Sequence, residues 1–88
     1  MSRLFLVEDD KHADWISKWS TRAEAQAELE RLASISWDEE PNRCPCGSWR
    51  TCGRWYQIVE FDTTGPDWRE VNRERLLDVG SKGVKWLR

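Results

Sequence analysis

The chain has 88 residues and a mass of 10.5 kDa, enough for one domain spanning 1–88 and too little for two. Its net charge is −2, with 34% charged residues, so as a whole it is not a polycation that coats nucleic acid. No apolar run approaches the roughly 20 residues of a membrane span, and Met1-Ser2-Arg3 leads into only a short apolar stretch, so neither a transmembrane helix nor a signal peptide is expected.

Arg3-Leu4-Phe5-Leu6-Val7-Glu8 is apolar between charged ends and too short for a helix, so it reads as a strand buried on both faces or nearly so. A polar turn, Asp9-Asp10-Lys11-His12, follows. Asp14 to Trp19 then alternates, with Trp15, Ser17 and Trp19 on one face, which completes a β-hairpin. Thr21-Arg22-Ala23-Glu24 has the spacing of a capping box and opens a helix. Ala25, Leu29 and Leu32 form its apolar stripe, while Glu24, Glu28 and Arg31 lie opposite.

Residues 36–54 hold Pro41, Asn42, Pro45, Gly47 and Gly53 and read as a long connection clamped by Trp37, Trp49 and the cysteines. Trp55 to Asp62 is the clearest strand, with Tyr56 and Ile58 facing away from Trp55, Gln57 and Val59. Arg75–Val79 and Val84–Leu87 complete the set around a turn at Gly80-Ser81-Lys82-Gly83. The expected fold is a two-layer α+β domain in the order β-β-α-β-β-β, one helix packed on an antiparallel sheet. Seven tryptophans are expected to supply core area that so short a chain otherwise lacks.

Chemistry concentrates in Cys44-Pro45-Cys46-Gly47-Ser48-Trp49-Arg50-Thr51-Cys52. A zinc site needs four ligands, and the fourth would have to be His12, the sole histidine, brought over from the first hairpin. A redox role needs a thiolate activated by nearby cations, which Arg43, Arg50 and Arg54 could provide. The plainest reading makes the cysteines small buried hydrophobes, so no metal and no cofactor are expected. The Pro45-Cys46 pair lacks the second cysteine and the H-x-E of zinc deaminases, and no nucleophile elbow, Walker A loop or H-E-x-x-H occurs. The acidic clusters Glu8-Asp9-Asp10 and Asp38-Glu39-Glu40 read as solvated turns, and no enzyme is expected.

Charge is unevenly spread. Residues 1–40 carry 5 basic and 10 acidic groups, whereas no acid occurs between Pro41 and Val59. There Arg43, Trp49, Arg50, Arg54 and Tyr56 interleave guanidinium and aromatic groups, the pairing that single-stranded nucleic-acid modules use. Arginine also stacks on aromatic rings inside ordinary proteins.

The run Trp37-Asp38, Pro41-Asn42-Arg43, Cys46, Ser48-Trp49-Arg50-Thr51-Cys52-Gly53-Arg54, Tyr56 resembles that of a family of small bacterial proteins with no assigned activity. The likeness extends to the helix at 21–32 and loosely to 77–86. It implies that Cys46 and Cys52 are the family's cysteine pair and that Cys44 is an addition. The reading is therefore a small cytoplasmic, non-enzymatic binding domain acting through loop 41–56, with Arg43, Trp49, Arg50, Arg54 and Tyr56 as binding residues. Its partner would be a protein or an acidic ligand, not a membrane. The alternatives are a single-stranded nucleic-acid module, or a zinc or thiol-redox protein using Cys44, Cys46 and Cys52. An odd cysteine count without a leader fits a reducing compartment.

Overall fold

The computed structural model describes residues 2–47 and 50–87. Its elements are β1 (Arg3–Asp9), β2 (Asp14–Trp19), α1 (Arg22–Ala33), β3 (Gly53–Asp62), β4 (Arg69–Gly80) and β5 (Gly83–Trp86). The five strands form one antiparallel sheet in the order β2-β1-β3-β4-β5. The helix lies across one face and touches β1 to β4. The domain is α+β. No helix among the described residues is long and apolar enough to cross a membrane.

Local chemistry accounts for the helix. The Thr21 hydroxyl accepts from the Glu24 amide at 3.2 Å while the Thr21 amide donates to the Glu24 carboxylate at 3.1 Å, which satisfies two otherwise orphaned donors. Ala25, Leu29 and Leu32 are fully buried against the sheet. Glu28, expected on the solvent side, is buried instead. Arg31 holds both of its oxygens, at 2.7 and 2.8 Å, so its charge is paired as it leaves water.

Under the helix, Val7, Tyr56, Ile58, Leu77 and Val79 complete the core, joined by the bulged Leu76. The expectation of a tryptophan core is overturned. Trp15, Trp55, Trp68 and Trp86 are exposed, and Trp19 and Trp37 only flank the core. One slim helix leaves room beneath it for aliphatic side chains and one tyrosine, and most of the large indoles are left at the periphery.

β4 is longer than its hydrophobic pattern indicates, beginning at Arg69 rather than Arg75. The run Arg69-Glu70-Val71-Asn72-Arg73-Glu74 has no alternating apolar face, yet it pairs with β3 from Ile58 to Asp62. Cross-strand charges support it. Arg69 reaches Asp62 at 3.0 Å, and Arg73 reaches Glu8 at 3.1 Å. β5 follows a tight turn at Ser81-Lys82, which closes through Gly83 at a φ of +115°, a backbone region that favours glycine.

Candidate metal centre

Between α1 and β3 the described residues, 34–47 and 50–52, carry neither helix nor strand, and this loop is tied down at both ends. Near its start, buried Asn42 donates its amide to the Leu32 and Ile35 carbonyls, each at 2.8 Å, and so caps the end of α1. The Asn42 carbonyl oxygen accepts from the Tyr56 hydroxyl at 2.8 Å, which joins the loop to β3. At the other end, a Cβ on Gly53 would stand 2.4 Å from the Val79 carbonyl oxygen, so only glycine lets β3 and β4 approach directly after Cys52.

Between these ties the loop turns its cysteines toward the β1–β2 hairpin. The Sγ atoms of Cys44, Cys46 and Cys52 and a ring nitrogen of His12 all lie within 4.8 Å of one another. Cys44 Sγ and Cys46 Sγ are 3.0 Å apart, and Cys52 Sγ is 3.3 Å from His12 Nε2. Tetrahedral zinc with bonds of about 2.3 Å to sulfur and 2.0 Å to nitrogen sets its ligands about 3.5–3.8 Å apart. The four donors already occupy a volume of that size.

The imidazole is oriented from behind. His12 Nδ1 lies 2.5 Å from Asp9 Oδ2, and an ionised carboxylate can only accept, so the proton belongs on Nδ1. The Nε2 lone pair therefore faces the sulfurs. This is the carboxylate–histidine arrangement that supports metal-ligating imidazoles. Ala13, next in the turn, takes a φ of 51°, a conformation costly to any residue with a Cβ, and this reverses the chain directly after His12.

Asp9 is fully buried, contrary to the solvated turn expected of it. Its Oδ1 accepts the Lys11 and Trp55 amides at 3.1 and 2.9 Å, and its Oδ2 accepts from Arg54 Nη1 at 3.1 Å as well as from His12. Glu8 is buried on the opposite sheet face, where Gln57 donates to it at 2.7 Å. Neither carboxylate is a solvated turn residue, because the strand carries both into donor-rich surroundings.

Burial would lower the His12 pKa, but hydrogen bonding to Asp9, Cys46 and Cys52 outweighs it and the net shift is upward. Burial raises the Cys44 thiol to about 11, and a hydrogen bond to Cys46 adds to the shift. Cys52 goes the other way. Burial alone would raise it, yet Cys46, Cys44, the Gly53 backbone and His12 together bring it down to about 6. The cluster is thus polarised around one sulfur, with every donor atom turned inward.

The residues singled out in the loop separate. Arg54 is buried, and besides Asp9 it binds Asp14 at 3.0 Å and the Arg43 carbonyl oxygen at 3.0 Å. Tyr56 is fully buried, with its hydroxyl on Asn42. Both are internal groups that position the loop. Arg43 is exposed, with Glu40 at 3.4 Å, and Arg50 is exposed as well. Trp49 lies outside the described residues. Asp9, Asp14 and Asn42 were missed by the sequence reading. The only hint of Asp9 was its position three residues before the sole histidine.

No family model matches this chain, and no curated protein or solved structure is similar to it at a significant level.

Proposed function

We propose that this is a small zinc-stapled, non-enzymatic binding domain in which Cys44, Cys46, Cys52 and His12 hold one structural zinc ion. The observation that carries the reading is the convergence of these four donors, with Asp9 orienting the imidazole from behind. Three thiolates and a histidine make a common structural set, and four protein ligands leave no open position for a water or a substrate. A small sheet with one helix buries little apolar surface, and a metal that joins the first hairpin, the long loop and the start of β3 offsets that shortage. Three thiol ligands also suit a reducing compartment, in line with a cytoplasmic location.

The test is metal content and its consequence for the fold. The purified protein should carry one zinc per chain, and cobalt in its place should give the absorption of tetrahedral thiolate coordination. A strong chelator should lower the melting temperature and expose the loop to proteolysis. Metal-free protein whose melting temperature and proteolysis pattern ignore both zinc and chelator would overturn the reading. The 3.0 Å approach of Cys44 and Cys46 favours a thiol-redox role as the second reading. It would be preferred if such metal-free protein loses two titratable thiols on mild oxidation.

A further inference from the structure

A cleft of about 480 Å³ opens beside the metal centre, between the beginning of β3 and the β4–β5 hairpin. That is within the range of small-ligand sites. The chain has four lysines, and three of them, Lys11, Lys82 and Lys85, line this one cleft. None of the three forms an ion pair among the described residues, whereas Arg3, Arg22, Arg31, Arg54, Arg69 and Arg73 all do. On a chain of net charge −2, this is a concentrated positive concavity that draws anions from solution.

Two other groups restrict the anion. The half-exposed Trp55 ring lines the cleft, with the Lys11 ammonium 5.1 Å and the Arg75 guanidinium carbon 4.5 Å from its centroid. Asp78 is the one carboxylate among the residues lining the cleft. Its negative charge opposes a bare inorganic anion and favours a ligand that also carries a hydrogen-bond donor. A ligand that brings phosphate charge together with a flat ring bearing N–H donors meets all of these groups. Phosphates would lie against the lysines, the ring beside Trp55, and an N–H on Asp78.

We infer that this cleft binds a nucleotide through its phosphates and its base. The cleft borders the metal centre through Cys52, but its lysines belong to the first turn and the last hairpin and do not ligate the zinc, so the proposal does not rest on the metal reading. A free nucleotide and a single-stranded nucleic acid present the same chemistry.

The experiment is fluorescence anisotropy of a labelled oligodeoxyadenylate with the protein as purified, competed with ATP or with inorganic triphosphate. Binding should weaken with salt with a log–log slope of about −2 if three lysines meet phosphates. The double variant Lys82→Gln/Lys85→Gln should lose about tenfold in affinity. Lys18→Gln, on β2 at the far edge of the sheet, should change nothing. Effective competition by ATP supports a site for free nucleotides, while binding of the strand without ATP competition supports one for nucleic acid. Triphosphate competing as well as ATP would overturn the role of Trp55 and Asp78, and with it the nucleotide. Absence of binding at about 50 mM salt, or equal losses in the Lys18 and Lys82/Lys85 variants, would overturn the site itself.

Discussion

Replacing Asp9 by asparagine tests the centre with almost no change of shape. Four donors converge on this carboxylate, two on each oxygen. Asparagine keeps one acceptor oxygen and puts an N–H₂ in place of the other. If the amide nitrogen takes the Oδ1 position, it meets the Lys11 and Trp55 N–H groups. If it takes the Oδ2 position, it meets His12 Nδ1–H and the Arg54 guanidinium. Either way two donors lose their acceptor, and Arg54 loses a fully buried counter-charge. Breaking a buried, hydrogen-bonded pair from one side costs about 3–5 kcal/mol. The imidazole also loses its support, which should weaken zinc binding about 10- to 100-fold, or about 1.4–2.7 kcal/mol. Urea unfolding of the zinc-loaded protein reads the first quantity, and competition with a chromophoric chelator reads the second. Asp14→Asn is the control. That side chain is 45% exposed and meets the same arginine at the surface, so its loss should cost about 1 kcal/mol or less. An Asp9→Asn protein that folds and holds zinc as tightly as the parent would refute the reasoning.

Leu29→Ala removes a fully buried side chain from the helix–sheet interface and should cost about 3 kcal/mol in chemical denaturation. Asn42→Ala strips the Leu32 and Ile35 carbonyls and the Tyr56 hydroxyl of their partner and should cost about 3 kcal/mol. Amide exchange should then accelerate at the end of α1 and in residues 34–44, while β4 and β5 stay protected. Hydrogen bonds from the Thr64 backbone and side chain, then Arg69 and Arg3, hold the Asp62 carboxyl well below the usual carboxylate range. Since the folded pKa is lowered, its stabilisation is present above the ordinary value of about 3.9 and is lost as pH falls through the depressed one. Asp62→Asn should therefore flatten the acid limb of the stability curve below about pH 4 and leave its shape near neutrality unchanged. NMR titration of the Asp62 carboxyl checks the direction.

The helix was legible because its signals are local. A capping box and an i, i+4, i+7 apolar stripe need nothing beyond a dozen residues, and Ala25, Leu29 and Leu32 lie where that period puts them. The alternation from Trp55 to Phe61 likewise marked β3. Charge decided the rest through partners distant in sequence. Arg69 to Glu74 has no apolar face and becomes a strand only because β3 offers backbone partners, with Asp62 and Glu8 as counter-charges. Arg54 and Tyr56 carry the same side chains whether they face solvent or the interior. Their place inside follows from Asp9, 45 residues upstream, and from the Asn42 cap. The cysteine spacing alone could name three ligands and a hypothetical fourth. Bringing His12 to them takes a hairpin reversed at Ala13, a strand register that sets Asp9 opposite Tyr56, and a glycine that admits β4 beside Cys52. Composition and local periodicity determine which elements form. The approach of donors from three separate segments depends on sheet register and on how closely the strands pack, so only the tertiary structure decided it.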